Sequence, residues 1–185
     1  MLAAALGLVI LAGELALRVT RRSDPGTSAG ADRGSLAVLW LTIGAAVVLA
    51  LFVPRLVPQA NYNLCTRSVI FTLIGFVLGL ALRAWSIARL GRFFTVDVVV
   101  QRDHELVMTG PYRWVRHPSY TGLLVEFAAL GVAFENYASI AVLLVPITLA
   151  LSRRIAVEEQ ALAGAFGDAW TAYAARTRRL IPFVY

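Results

Sequence analysis

The sequence predicts an all-α, polytopic integral membrane protein with about five transmembrane helices. Hydrophobic residues make up 59% of the 185 residues and charged residues only 15%, with a mean hydropathy of +0.72. A soluble domain of this size needs more polar surface than that. The apolar residues are also gathered into long runs, as a bilayer solvent requires. Composition and patterning therefore agree on a membrane protein.

Five apolar runs define the predicted helices: residues 2–17, 36–53, 69–85, 120–134 and 137–151. Only Glu135 and Asn136 separate the last two runs, so these two helices should form an antiparallel hairpin. Each has about 15 residues, fewer than the ~20 that span the hydrocarbon of a bilayer comfortably. We therefore expect a tilted hairpin or one in locally thin bilayer.

Four residues stand out within these runs. Glu14 interrupts the first run, and Glu126 is an acid inside the fourth, where a carboxyl group is costly and usually faces an interior cavity. We treat Glu126 as a candidate lining residue of a substrate tunnel. Gly75 and Gly79 form a small-xxx-small pair, which either lets another helix approach closely or reflects chance.

The basic residues predict how the chain is oriented. All 17 are Arg and give a net charge of +6. They cluster after the first, third and fifth runs, whereas the opposite side carries only Arg55 and Arg67. The positive-inside rule then places the segment after the third run and the C-terminal segment in the cytosol. The Arg residues flank apolar runs and form no basic stripe, so nucleic acid is not expected as a partner.

Cysteine and histidine are too few for a metal cluster or a disulfide framework. The sequence has one cysteine, Cys65, and two histidines, His104 and His117. No intramolecular disulfide can form, and a zinc site is not expected.

Two polar segments are candidates for chemistry. Residues 91–120 combine turn residues, aromatic residues and several hydrogen-bond donors, and Pro118 suits the first turn of the fourth helix, with His117 at its mouth. Such a segment could rim a pocket or form an interfacial belt of Tyr, Trp and Arg. After the fifth run, Arg154 and Glu158 have the spacing of a surface helical pair, and adjacent carboxylates could also bind a ligand.

Taken in order, these segments resemble the isoprenylcysteine carboxyl methyltransferases. The resemblance covers residues 82 to 185 and rests on the following positions: 104–107 (HELV), 110–112 (GPY), 116–122 (RHPSYTG), 158–159 (EE), 166–167 (FG), Tyr173 and 180–183 (LIPF). The ordered set, with a short helical hairpin between the His and Glu-Glu motifs, is far more specific than any one motif.

The resemblance implies a membrane methyltransferase that uses S-adenosyl-L-methionine. By similarity, the residues that contact this cofactor would be Gln101, His104, Leu106, Val107, Gly110, Tyr112, His117, Tyr120, Glu158 and Glu159. Arg83 and Arg154 match arginines associated with the methyl-accepting site. No Gly-x-Gly-x-x-Gly motif follows a predicted strand, so a Rossmann-type site is not supported.

The resemblance also suggests the acceptor and the organisation of the chain. The acceptor would be lipophilic, most simply the carboxylate of a prenylated cysteine. A methyltransferase acting on another lipid group is the alternative, and a non-enzymatic membrane scaffold or transport subunit is the rival from another class. We expect two N-terminal helices in residues 1–60 and a methyltransferase core in residues 61–185. The active site should face the cytosol of a bacterial or archaeal cell membrane.

Overall fold

The described residues fold into a bundle of six α-helices. The computed structural model describes residues 1–20, 34–96, 105–182 and 184. The helices are α1 (Leu2–Thr20), α2 (Ser35–Leu56), α3 (Thr66–Leu90), α4 (Pro118–Ala133), α5 (Tyr137–Phe166) and α6 (Asp168–Arg176), with short 3₁₀ turns at Pro58–Ala60, Gly91–Phe93 and Gly110–Arg113. These ranges contain no strand beyond two isolated β-bridges. The predicted all-α class is confirmed.

Four of these helices have the length and apolarity needed to cross a membrane. They are α1, α2, α5 and the helix that begins at Thr66, which is α3. The fifth apolar helix, α4, has 16 residues and is shorter than a comfortable span. It packs against α3, α5 and α1, while α2 packs against α5. A helix enclosed by its neighbours is apolar on all sides, and this explains the continuous run at 120–134.

The predicted hairpin of α4 and α5 is present, and polar contacts hold its turn. Asn136 is fully buried and caps α5, its Oδ1 accepting from the Ser139 amide at 3.0 Å. Its Nδ2 donates to the Val57 carbonyl at 3.0 Å and to Asn61 Oδ1 at 2.6 Å. The hydroxyl of Tyr62 donates to the Val132 carbonyl at 3.0 Å. These bonds tie the hairpin to the connection between α2 and α3.

Two helices continue beyond their predicted apolar runs. α3 extends to Leu90, five residues beyond the predicted run of 69–85. Arg83 therefore lies about two turns before the end of the helix, whereas the predicted run placed it near that end. α5 continues without interruption to Phe166 and carries Arg154, Glu158 and Glu159 on its second half. These polar residues lie beyond the apolar run that ends at residue 151.

Of the small-residue pair in α3, Gly75 and Gly79, only Gly79 packs closely against another helix. Gly79 lies directly against α4, whereas no atom comes within 4 Å of where a Cβ would stand at Gly75. Close helix approach is therefore found at one of the two positions. The division of the chain at residue 60 stays a prediction.

Candidate active site

One cavity lies at the end of the bundle where α1, α3 and α5 run towards their C-termini and α2 and α4 begin. One wall is apolar and comes from the first two helices, with Leu17, Leu36, Leu39, Trp40 and Ile43. The opposite wall is polar and aromatic and comes from the segments on either side of α4 and α5. The cavity thus joins an apolar surface to a cluster of charged groups.

His117 is clamped between two carboxylates. Its ring Nδ1 lies 3.5 Å from Glu158 Oε2, and Nε2 lies 3.3 Å from Glu159 Oε1. Only the protonated imidazole can donate from both nitrogens. Burial disfavours that charged form, but the hydrogen bonds and charges of the two carboxylates outweigh it and raise the pKa of His117. The two carboxylates thus favour the charged form of His117, which lies between Glu158 and Glu159.

Glu158 belongs to a second buried pair, with Arg154. Arg154 is 1% exposed and donates from Nε to Glu158 Oε1 at 3.0 Å. Its Nη1 donates to Ser35 Oγ at 3.1 Å, and its Nη2 donates to the Val96 carbonyl at 2.6 Å. The Tyr120 hydroxyl donates to the same Glu158 oxygen. The spacing of Arg154 and Glu158 suggested a surface pair, but both groups point inwards because α5 packs against α2 at this level.

Glu159 is held on the far side of His117 by two further cations. Arg116 Nε donates to Glu159 Oε1 at 2.8 Å, and Arg179 Nη2 lies 2.9 Å from Oε2. Arg116 also donates from Nη1 to the carbonyls of Ala174 and Thr177, at 2.8 and 2.7 Å. Arg116 therefore ties the loop before α4 to the last turn of α6 and to the segment that follows it.

The backbone of that segment pairs with the loop that carries His117. The amide of Arg116 donates to the Arg178 carbonyl at 2.7 Å, and the amide of His117 donates to the Arg179 carbonyl at 3.0 Å. The Thr121 hydroxyl donates to the Leu180 carbonyl at 2.7 Å. The position of His117 thus depends on contacts with residues 178–180.

Two buried tyrosines, Tyr112 and Tyr173, form part of the cavity wall. The Tyr173 hydroxyl on α6 donates to the Tyr112 carbonyl at 2.7 Å, and Tyr112 donates to the Ser86 carbonyl at 3.4 Å. Burial raises the pKa of Tyr112, and it raises the pKa of Tyr173 to about 12. Both phenols are therefore neutral hydrogen-bond donors, not bases.

Arg83 reaches the cavity from α3. Its Nη2 donates to Glu14 on α1, and its Nη1 lies 3.3 Å from the Ser119 carbonyl and 3.4 Å from Ser119 Oγ. The Arg83 and Glu14 side chains are 10% and 13% exposed. Arg83 therefore connects three helices at one edge of the cavity.

Comparison with known proteins settles the family. The family model of isoprenylcysteine carboxyl methyltransferase (ICMT) matches residues 70–164, from α3 through most of α5. This is more than half of the chain. The chain belongs to the ICMT family. A methyl donor is implied by that membership.

Individual relatives agree with the ICMT assignment. The chain is 35% identical over 116 residues to protein-S-isoprenylcysteine O-methyltransferase B of Arabidopsis thaliana, which covers 62% of this chain and 59% of that protein. It is 32% identical over 114 residues to protein-S-isoprenylcysteine O-methyltransferase of Schizosaccharomyces pombe, covering 60% and 48%. The matched region thus spans about half the length of these relatives.

A solved ICMT structure shares the fold. It is the eukaryotic intramembrane Ras methyltransferase ICMT, which superposes with a TM-score of 0.62 at 24% identity and covers 78% of this chain and 52% of that one. At this identity the match establishes the fold alone. The predicted ICMT-type membrane fold is confirmed.

Most residues singled out by the ICMT resemblance meet in the cavity. The predicted residues that line it are Arg83, Leu106, Val107, Tyr112, His117, Tyr120, Arg154 and Glu158. Glu159 stands behind His117, outside the lining. Gly110 has a positive φ of 64° and packs against Arg89, so it shapes the turn that presents Tyr112. Gln101 and His104 lie outside the described residues.

The sequence did not indicate several residues of the site. Glu14, Ser119 and Trp170 line the cavity, and Arg116 fixes Glu159. Arg116 belongs to the segment for which the sequence left an interfacial belt open, but its side chain binds a carboxylate and two backbone carbonyls. Its position directly before His117 was the available signal. The sequence signal for Glu14 was only that an acid interrupts an apolar run, and the signal for Trp170 was only that an aromatic residue stands in a polar segment.

Glu126 does not line this cavity. It is 1% exposed within α4, and among the described residues its Oε1 has no hydrogen-bond partner. Its side chain lies against Gly79 of α3. A role in lining a substrate tunnel is not supported by this position.

Proposed function

We propose that this chain is an integral membrane methyltransferase that uses S-adenosyl-L-methionine to methylate a lipophilic acceptor, the carboxylate of a prenylated cysteine or a similar group. One observation carries the proposal. Residues from the 106–107, 110–112, 116–122 and 158–159 segments line a single cavity together with Arg83 and Arg154. The same cavity has an apolar wall supplied by α1 and α2.

The donor set of the polar wall fits this cofactor. Glu158 can accept from a ribose hydroxyl or an amine, and it is held for that task by Arg154, His117 and Tyr120. Tyr112 and Tyr173 also line the cavity, and aromatic rings of this kind can attract a cation. When bound, the cofactor supplies a methyl group on a positively charged sulfur.

The arginines fit an anionic acceptor. A guanidinium can hold a carboxylate by two parallel hydrogen bonds, which fixes the direction of the attacking oxygen. A carboxylate is already ionised at neutral pH, so no general base is required. In the transfer an oxygen–carbon bond forms as the carbon–sulfur bond breaks. The chain's part is then to orient the carboxylate and exclude water, which an apolar wall supports.

We propose further that the site faces the cytosol. The ends of α1 and α3, the loop before α4 and the second half of α5 all lie at the cavity end of the bundle, and these are the Arg-rich segments. The opposite end has Arg55 and Arg67. The positive-inside rule supports a cytosolic cavity.

Two measurements test this function. Calorimetry with S-adenosylhomocysteine on detergent-solubilised protein should show binding. Incubation with methyl-labelled S-adenosyl-L-methionine and an S-farnesylated N-acetylcysteine should give base-labile label, because only an ester releases methanol in base. Cofactor binding with label in another lipid product would contradict the carboxyl acceptor. Absence of both binding and transfer would contradict the enzyme assignment.

A further inference from the structure

Arg83 already has a carboxylate partner, and it comes from outside the part of the chain that matches the family model. Glu14 on α1 accepts from Arg83 Nη2, whereas the model match begins at residue 70. Both residues line the cavity. The guanidinium that would hold an acceptor carboxylate is therefore occupied by a carboxylate of the same protein.

The other arginine of the site is anchored more firmly. Arg154 donates to Glu158 on its own helix, to Ser35 on α2 and to the Val96 carbonyl, at distances of 2.6 to 3.1 Å. Arg83 has longer bonds to Ser119, at 3.3 and 3.4 Å, and one charged partner in Glu14. An entering carboxylate that separates Arg83 from Glu14 therefore breaks fewer contacts than one that separates Arg154 from its partners.

Glu14 also lies on a helix that has few buried residues. α1 packs mainly against α4, and within it only Leu6 and Ile10 are buried. Leu8, Leu11, Leu15 and Val19 on the same helix are exposed, as expected of a helix at the lipid boundary. A change of side-chain rotamer at Glu14 would release Arg83 while α1 keeps its contacts with α4.

We propose that Glu14 is a specificity-determining residue of the acceptor site, which competes with the acceptor carboxylate for Arg83. The proposal rests on the function proposed above. A buried guanidinium needs one counter-ion, and a second carboxylate beside a neutralised pair would be an unbalanced anion in a medium of low dielectric constant. An anionic acceptor must therefore displace Glu14. The methyl ester carries no charge and cannot do so, and Glu14 then returns to Arg83 as the product leaves.

The test compares an acid with its ester. Affinities of an S-farnesylated N-acetylcysteine and of its methyl ester are measured for the detergent-solubilised wild type, for Glu14→Gln and for Glu135→Gln. The last variant removes the same charge at the opposite end of the bundle, where Glu135 accepts from the Leu64 amide. Glu14→Gln should bind the acid about tenfold more tightly, within the usual range for coupled sites. The ester should stay within about threefold, and the control should change neither affinity.

A double variant identifies Arg83 as the contested group. Adding Arg83→Gln to Glu14→Gln should abolish the gain for the acid, because interacting residues do not act additively. An unchanged ratio of acid to ester affinity in Glu14→Gln, or a gain that survives loss of Arg83, would overturn the proposal. If Glu14→Gln does not fold, Glu14→Asp withdraws the carboxylate by one methylene and should tighten the acid by a smaller factor. No gain in Glu14→Asp would then count against competition.

The outcomes also separate this proposal from the proposed function. If the wild type binds the acid but not S-adenosylhomocysteine, the cofactor assignment is contradicted. The ratio of acid to ester affinity in Glu14→Gln then still decides the role of Glu14. Binding of S-adenosylhomocysteine without any acid binding, in wild type and Glu14→Gln alike, would overturn the role of Glu14 and leave the cofactor assignment intact.

Discussion

Gly79 of α3 and Gly122 of α4 each occupy the space that a side chain on the other would need. A Cβ at Gly79 would lie 2.8 Å from the Gly122 carbonyl oxygen, and a Cβ at Gly122 would lie 2.6 Å from the Gly79 carbonyl oxygen. The two backbones are therefore in direct contact. One turn further along α3, the same contact brings Arg83 to Ser119.

Gly79→Ala should separate α3 from α4 and destabilise the protein by about 1–3 kcal/mol, the usual cost of overpacking. Gly75→Ala is the matched control, because that position has open space. Thermal unfolding in detergent checks both. A transition for Gly79→Ala as high as that of Gly75→Ala would contradict the close contact.

His117→Ala should weaken binding of S-adenosylhomocysteine by at least about tenfold, or 1.4 kcal/mol. Without the imidazole, Glu158 and Glu159 lose the cation between them and no longer hold their positions. Calorimetry measures the affinity. Met108→Ala is the control, because Met108 is exposed and lies outside the cavity lining. Wild-type affinity in a folded His117→Ala protein would remove the residue from the site.

Stability should fall as pH rises through the pKa of His117. That pKa is raised above 6.5 in the folded protein. The charged imidazole therefore stabilises the fold fully at pH values below the pKa of the unfolded state. This stabilisation is lost as the pH rises through the pKa of the folded state. The groups around it are Glu158, Glu159, Tyr120, Arg116, Arg154 and Arg179. Thermal unfolding from pH 6 to 9 checks this, and His117→Gln should flatten the profile. An equally steep profile in His117→Gln would assign the dependence to another group.

Arg83→Lys should lower turnover with a carboxyl acceptor while affinity for S-adenosylhomocysteine stays within a few-fold. Lysine keeps the charge but loses the planar fork, so the carboxylate is no longer oriented. Arg113→Lys is the control, since Arg113 is exposed and stacks on Trp114 at 4.5 Å. Arg154→Lys should lower turnover too, and should also lower stability because it breaks three sets of contacts. Full turnover in both variants would make these arginines structural.

Cysteine labelling can decide which side of the membrane holds the site. The native Cys65 is exposed at the end opposite the cavity and should react from outside. In a Cys65→Ser background, Met108→Cys and Gly164→Cys should react only from the cytosol. Gly164 has open space around it, so the substitution is tolerated. Labelling of these two positions from opposite sides would end the single-site model.

The sequence predicts those features that depend on residues close together in the chain. The hairpin of α4 and α5 follows from two apolar runs with two residues between them, and the pair of Arg154 and Glu158 follows from helical spacing. Burial of that pair could not be predicted, because it depends on which face of α5 meets Ser35 of α2, more than a hundred residues away in the chain. The same holds for Glu14 and Arg83, which helix packing alone brings together.

The resemblance to a family predicted site residues but not their arrangement. Glu158 and Glu159 could not be told apart from sequence, since neighbouring residues on a helix differ only in direction. The structure turns Glu158 to the cavity and Glu159 to Arg116 and Arg179. The cations around Glu159 come from segments separated by about sixty residues, and no local pattern reports such a contact.

The uninterrupted length of α5 has a mechanical consequence. Its 30 residues extend about 45 Å, well beyond the ~30 Å of a typical hydrocarbon core. Asn136 pins one end, while Arg154, Glu158 and Glu159 are carried towards the other. Because a helix longer than the local hydrocarbon thickness can adjust by tilting, we expect a thinner or thicker bilayer to change the tilt of α5 and so to displace these side chains relative to Asn136.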